Sequence, residues 1–332
     1  MTDSPGPHSG TAGTDAATQV FVDHRELLFS VVYNILGSVA DTEDVLQETW
    51  LSWAGRGRGT PQAPVEKPRA YLVRIAVNHA LARRAVVDRR RETYAGTWLP
   101  EPLVGTDSPV ENADAGEQAL RGEAVSMALL VVLETLSPLE RAVFVLNEVF
   151  GYPHTEIAEI IDRSAAAVRQ LAHRARSHVR SRRPRFETHP RVRRQATERF
   201  VAAALGGDLA TLLEILAPDV TLWTDGGGKA RSVPRPVRGR DNVARTLAGF
   251  ASRPPADLDV RYRSVNGDAA AVVYADGAPF AVMVMDLAAG GEGVSDVYIV
   301  TNPEKLAAVG RGEDVARTAT DEGATVERQG PA

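Results

Sequence analysis

Apolar positions recur every three to four residues across 19–95 and 121–186, which reads as helix, and at every second position in short runs further on. From about residue 190 the chain opens with two helical strings, RRQATERFVAAAL and DLATLLEIL. It then turns to VTLW, LDVRYRSV, AAVVYA and FAVMVMDL, separated by Gly and Asp, which reads as strands. A Gly/Arg/Pro-rich break at 55–68 divides the first helical stretch. Residues 96–120 carry Pro100, Pro102 and Pro109 with little periodicity and read as a linker. The pattern predicts a disordered N-terminus over 1–18, helical segments over 19–95 and 121–186, an α+β segment over 190–307, and a disordered tail over 308–332.

Helical spacing sorts the polar residues onto faces. Asp41, Asp44, Gln47 and Glu48 share one arc of their helix, opposite Val45, Leu46, Trp50 and Trp53. Such a face is either solvated or a dock for a basic partner. In the next helix Tyr71, Leu72, Ile75, Ala76 and His79 form the predicted apolar face, and a run of arginines extends past it. Further on, Ser137-Pro138-Leu139-Glu140 has the spacing of a capping box with proline at the first helical position. Thr155–Ile161 then forms a short helix and Asp162-Arg163-Ser164 a tight turn, with Ser164 placed to cap a longer helix. In that longer helix Val168, Leu171, Ala172, Ala175 and Val179 face one way, while Ala166, Arg169, Gln170, His173, Arg176 and Arg180 face the other. Short helix, turn and longer helix with Arg, Gln and His outside make a helix-turn-helix, and Arg169 and Gln170 suit bidentate contacts with base edges.

Composition sharpens this picture in two places. The 332 residues carry a net charge of −5, yet 67–91 holds eight Lys/Arg against Asp88 alone, and 162–194 holds eleven Arg against Asp162 and Glu187. Two basic blocks in an acidic chain point to localised nucleic-acid contacts. The chain has no cysteine, which excludes disulfides, thiolate metal sites and thiol nucleophiles. The seven histidines are not spaced as a ligand set, so no metal and no cofactor are expected. Neither a membrane-spanning run nor a secretory leader is evident, and the cytoplasm is the expected location.

The order of these features, an acidic DxxDxxQExxxxW helix, a basic helix, a linker and SPLERAVFVLNEVFGYPHTEIAEIIDRSAAAVRQLAHRAR, resembles the extracytoplasmic-function (ECF) sigma factors of bacterial RNA polymerase over about 19–183. The resemblance implies that Asp41, Asp44, Gln47, Glu48 and Trp53 dock on the clamp of the polymerase β′ subunit. It implies that Asn78, Arg83, Arg84, Arg89, Arg90 and Arg91 hold the −10 element, and that Ser164, Ala166, Arg169, Gln170, His173 and Arg176 read the −35 element. Three further strings resemble the branch of that family with a fused SnoaL-like domain: Trp98-Leu99-Pro100-Glu101-Pro102, Asp225-Gly226-Gly227-Gly228-Lys229, and Asn302-Pro303-Glu304-Lys305-Leu306. Glu304 stands where that branch usually has Asp. The implied architecture is multidomain: two all-α sigma domains, the second with the helix-turn-helix, and an α+β cone-shaped domain packed on them. That domain would modulate activity in place of a separate anti-sigma protein, with Trp98, Leu99, Pro100, Glu101, Pro102, Asp225, Gly226, Gly227, Gly228, Lys229, Asn302, Pro303 and Leu306 between the domains.

The C-terminal domain offers Trp223, Asp225, Arg261, Tyr262, Asp268, Tyr274 and Asp286 as candidate pocket groups. No histidine follows His189, so an Asp–His acid/base pair is absent there and an enzyme is not expected. The glycine string is not a phosphate loop, because Trp223 and Ala230 occupy the places of its first glycine and its Ser/Thr. The expected function is a monomeric initiation factor binding core polymerase and promoter DNA, with no membrane association. The other readings are a ligand-responsive helix-turn-helix regulator acting without polymerase, and a SnoaL-like isomerase or hydrolase with a helical appendage.

Overall fold

The computed structural model describes residues 9–56, 65–105, 125–182, 189–291 and 293–309. The chain divides into two compact units. The first comprises residues up to Arg89 together with Leu133–Val179; the second comprises Arg90–Val132 and the chain from Arg180 onward. Residues 19–89 and 133–179 of the two expected sigma segments thus fall into one unit, and the described part of the linker, 96–105, belongs with the second.

The first unit is helical. α1 (Ser9–Leu36) begins inside the stretch expected to be disordered, so residues 9–18 are helical instead, while 1–8 lie outside the described residues. The Gly37 N–H donates to the Tyr33 carbonyl at its end. The Ser38 hydroxyl then caps α2 (Val39–Gly55) by accepting from the Asp41 N–H at 3.3 Å. α3 (Pro68–Glu92) buries Leu72, Val73, Ala76, Val77, Ala80, Arg84 and Val87. Its packed stripe is therefore rotated from the predicted one: Tyr71, Ile75 and His79 are only half-buried, and Val73 and Val77 take their place.

α4 (Met127–Leu133), all but its last residue in the second unit, leads to α5 (Pro138–Phe144), whose capping box is complete. Glu140 N–H donates to Ser137 Oγ at 3.4 Å, and Ser137 N–H donates to Glu140 Oε2 at 3.3 Å. A π-helical turn (Val145–Val149) follows, then α6 (His154–Ile160) and α7 (Ala165–Arg182). Asp162 takes φ +51° in the turn between them, and the Ala167 N–H donates to Ser164 Oγ at 3.2 Å. Val168, Leu171, Ala172, Ala175 and Val179 are all buried, as the periodicity predicts.

The second unit is built on a six-stranded mixed sheet. Its strands are β1 (Leu216–Asp225), β2 (Val237–Arg238), β3 (Leu258–Val265), β4 (Asp268–Ala275), β5 (Ala278–Leu287) and β6 (Val294–Val300), in the order β2-β1-β6-β5-β4-β3. Among the described strands only β1 and β6 pair in parallel. Three helices, α8 (Pro190–Gly206), α9 (Leu209–Ile215) and α10 (Arg240–Ala251), go with one face. There Phe200, Val201, Leu212, Val243 and Leu247 pack on Leu222, Val273, Met283, Val297 and Ile299. The other face carries Val272, Tyr274, Val282, Val284, Tyr298 and Val300, against which Leu99, Met127, Ala128, Leu306 and Val309 are packed. The alternation of strand side chains is what makes this division possible. A short helix over 303–309 closes the described chain, inside the expected domain and just past its predicted end.

Candidate functional sites

On α2 the exposed face is narrower than the expected acidic arc. Asp44, Gln47 and Glu48 are exposed, but Asp41 is 4% exposed because the cap turns it toward the packed side. Trp53 is also inward: its indole N–H donates to the Ala17 carbonyl at 2.8 Å and its ring lies 5.9 Å from that of Tyr71. Leu51, 62% exposed, completes the i, i+3, i+4, i+7 stripe with Asp44, Gln47 and Glu48, and sequence reasoning passed over it. Arg83 Nη2 reaches both Asp44 (2.8 Å) and Glu48 (3.5 Å), and His79 Nδ1 lies 3.3 Å from Glu48.

The members of the basic run of α3 differ in exposure. Arg83 serves the acidic face. Arg84 is 3% exposed and points inward, so it does not present to a nucleic acid here. It donates to Asp88 Oδ1 (2.8 Å), Glu134 Oε2 (2.7 Å) and the Ile35 carbonyl (3.0 Å). Arg141, fully buried, donates to Glu134 Oε1 (2.6 Å) and the Asn34 carbonyl (2.8 Å). Burial depresses the pKa of both guanidiniums. Glu134 therefore bridges two buried cations, each of which also caps a carbonyl in the last turn of α1, where the helix end favours positive charge. Asn78 is turned to α6, donating to the Ile160 carbonyl at 3.2 Å. Arg91 lies over the Trp98 ring at 4.7 Å, whereas Arg89 and Arg90 are exposed.

On α7, Ala166, Arg169, Gln170 and His173 are exposed in one row. The side chains of Arg169, Gln170 and His173 make no hydrogen bond or ion pair among the described residues. Arg176 is different. It donates to Glu148 Oε1 (2.5 Å) and Asn147 Oδ1 (2.7 Å), which ties it to the preceding π-helical turn. Arg174 likewise pairs with Glu140 (2.7 Å), which holds that carboxyl below its ordinary range. Ser164 acts as the cap.

A latch holds the linker in the second unit. Asp225, at the end of β1 and wholly buried, accepts from four donors. These are the Tyr94 hydroxyl (2.5 Å), the Leu99 N–H (2.9 Å), the Lys305 ammonium (2.6 Å) and the Gly227 N–H (3.1 Å). Lys305 also donates to the Leu99 carbonyl. Its ammonium sits 3.5 Å from the Trp98 ring centroid, so that ring has Arg91 and Lys305 as cationic neighbours. Asn302 Nδ2 donates to the Tyr94 oxygen at 2.7 Å. Burial lowers the Lys305 pKa to about 8, with Asp225 opposing the fall; burial and then Asp225 raise that of Tyr94. Leu99, Pro100, Glu101, Pro102 and Leu306 are buried, while Gly228, Lys229 and Pro303 are exposed, and Lys229 pairs with Glu304 at the surface. The glycines are required by space. A Cβ on Gly227, at φ +62°, would lie 2.5 Å from Asn302 Nδ2, and one on Gly226 would lie 2.4 Å from the Ala230 carbonyl oxygen.

Three family profiles match: "Sigma-70 region 2" over 20–92, "Sigma-70, region 4" over 126–179 and "SnoaL-like domain" over 197–299. The chain is 39% identical over 230 residues to the ECF RNA polymerase sigma factor SigJ of Mycobacterium tuberculosis, covering 69% of this chain and 71% of that one. It is an ECF sigma factor. A second relative, the probable ECF sigma factor SigI of Mycobacterium tuberculosis, is 30% identical over 296 residues, covering 88% of this chain and 95% of the relative. The crystal structure of Mycobacterium tuberculosis SigJ superposes with a TM-score of 0.66 at 33% identity, covering 87% of this sigma factor and 98% of that chain. The helix-turn-helix and the acidic helix fall within the matched sigma regions. In the latch Asp225 and Gly227 fall within a match, whereas Tyr94, Trp98 and Leu99 lie between the two sigma regions, and Asn302 and Lys305 lie beyond the SnoaL-like match. Tyr94 and Lys305 were missed from sequence. A lysine in a polar string near the end of a domain gives no sign of burial, and only its place in Asn302–Leu306 marked it. Among the described residues no helix is long and apolar enough to cross a membrane.

Proposed function

We infer that this sigma factor docks on the β′ clamp of core RNA polymerase through the exposed Asp44, Gln47, Glu48 and Leu51 stripe of α2. Ala166, Arg169, Gln170 and His173 read the −35 element in the major groove, and the exposed Arg89 and Arg90 contact −10 DNA. The observation that carries the reading is the α7 row: its outward polar side chains are unengaged, while the flanking Arg174 and Arg176 are neutralised by Glu140 and Glu148. Arg83 offsets part of the acidic stripe within the chain, so docking exchanges an internal ion pair for an external one. The fused domain modulates initiation by fixing the linker through the Asp225–Lys305 latch, and it does so by binding rather than by catalysis. Run-off transcription with core enzyme tests the docking role. The Asp44→Lys/Glu48→Lys protein is expected to give no promoter-directed transcript, and a transcript level equal to that of the unaltered protein overturns it.

A further inference from the structure

The acidic stripe of α2 already has a cationic occupant from its own chain. Arg83 reaches across from α3, and its forked guanidinium meets three carboxylates. Nη2 donates to Asp44 Oδ2 (2.8 Å) and Glu48 Oε1 (3.5 Å), and Nη1 lies 3.9 Å from Asp41 Oδ1. Asp41, Asp44 and Glu48 stand at i, i+3 and i+7, so one helical face gathers them and a single guanidinium serves all three. The second oxygen of Glu48 is also taken. His79 Nδ1 lies 3.3 Å from Glu48 Oε2, and Ser52 Oγ lies 3.3 Å from His79 Nε2. Both oxygens of Glu48 thus face groups of α3, one turn apart along that helix.

This pairing is open to exchange. The side chains of Asp44 and Glu48 are 56% and 48% exposed and that of Arg83 is 23% exposed, so the carboxylates are reached from solvent while Arg83 holds them from the packed side. Half-exposed pairs of this kind are held weakly. The neighbouring Arg84 is different, because it is committed to Glu134 in the interior. Arg83 also stands away from the side of α3 that carries Asn78: five residues separate them, about 140° around the helix. Gln47 and Leu51 complete the stripe and need no exchange. The Gln47 side chain makes no hydrogen bond among the described residues, and Leu51 projects into solvent.

We propose that Arg83 is a built-in competitor of the polymerase clamp: it occupies Asp44 and Glu48 until cations of the clamp replace it, and so sets the affinity and the salt dependence of docking. The proposal rests on the docking reading of α2 given above. Gln47 and Leu51 make the first contact, and the ion pairs exchange afterwards. Each external pair is gained at the loss of an internal one, so docking changes little as salt screens both. Without Arg83 the stripe carries uncompensated negative charge. It then draws a basic partner more strongly in dilute salt and loses that advantage as salt rises.

The test uses the full-length protein and core RNA polymerase, with the Kd measured by fluorescence anisotropy at about 0.05 M and about 0.5 M salt. Arg83→Met and Arg83→Gln remove the charge. Each is expected to bind core about three- to tenfold tighter than the unaltered protein in dilute salt, the difference shrinking below about twofold in concentrated salt. Arg83→Lys keeps a cation in place and is expected to stay within about twofold of the unaltered protein at both. In an Asp44→Asn/Glu48→Gln background, Arg83→Met is expected to change nothing, because the competitor then has nothing to hold. At saturating sigma factor, the Arg83→Met holoenzyme is expected to open a −10 template as the unaltered one does. Equal or weaker core binding by both Arg83→Met and Arg83→Gln, a gain that persists in concentrated salt, or loss of −10 opening would each overturn the proposal. The Asp44→Lys/Glu48→Lys protein tests the docking reading separately: normal core binding there removes that reading whatever Arg83 does.

Discussion

Asp225→Asn removes the charge from the latch while keeping its shape. The carboxylate accepts four hydrogen bonds, and the amide retains only one acceptor oxygen while presenting an N–H₂ group to the remaining donors. Lys305, whose side chain is 7% exposed, loses the carboxylate it pairs with at 2.6 Å. Removing one member of a buried pair costs about 3–5 kcal/mol, because the other charge stays desolvated. The second unit is therefore expected to lose about that much in urea unfolding, with exchange at the Leu99 amide rising in step. Lys305→Met in the same background is expected to restore at least about 1 kcal/mol, since an apolar group of similar length tolerates that site. A loss below about 1 kcal/mol with Leu99 protection intact would refute the argument that this pair holds the linker. The pH dependence has a defined sign. With Lys305 lowered to about 8, the unfolded chain binds the additional proton between about 8 and the ordinary value of 10.5, so stability rises with pH through that window. Tyr94, raised above its ordinary value of 10.0, keeps a proton that the unfolded chain sheds, so stability falls again in more alkaline solution.

Four further outcomes are expected. Burial raises Asp296 to about 6 from 3.8, so the folded state holds a proton between those values that the unfolded state has lost, and stability falls as pH rises through them. Asp296→Asn should stabilise the second unit at pH 7 by about 1–3 kcal/mol and flatten that slope in urea titrations. Gly227→Ala combines φ +62° with a 2.5 Å approach to Asn302, and should cost about 2 kcal/mol or more and raise exchange at Leu99. Glu134→Gln leaves Arg84 and Arg141 buried without their shared anion, and should destabilise the first unit by about 3–5 kcal/mol; an unchanged urea midpoint would count against the bridge. Arg169→Ala should cost about 1–3 kcal/mol of discrimination at one −35 base pair while leaving core association intact, read by competing promoter templates.

The local signals were readable where one element satisfies itself. Ser137, Pro138 and Glu140 form their capping box whatever surrounds them, and the buried stripe of α7 follows from spacing alone. The runs taken as strands lie within β1, β3, β4 and β5. VSDVYIV, which forms β6, was missed because Asp296 interrupts it, although its partners on both sides make it central. The less legible part is charge. Arg84 and Arg91 read as nucleic-acid contacts because arginine is ordinarily exposed, yet one is buried by the carbonyls at the end of α1 and the other is drawn to Trp98. Helical spacing places Asp41 on the docking face and the family resemblance adds Trp53 to it, but the capped turn and the Ala17 carbonyl turn them inward. Tyr94 and Lys305 meet Asp225 from 131 and 80 residues away, a convergence that no local window contains.

The Glu134 bridge bears on how such a chain can change over generations. Arg84 arrives from the region 2 segment, and Glu134 and Arg141 from the region 4 segment, so the helices are matched by charge as well as by shape. A chimera that imports either segment from a donor lacking the complementary group would inherit an orphaned ion in its interior. The two segments are thus bound to diversify together, whereas the outward row of α7, unengaged within the described chain, is under no such constraint.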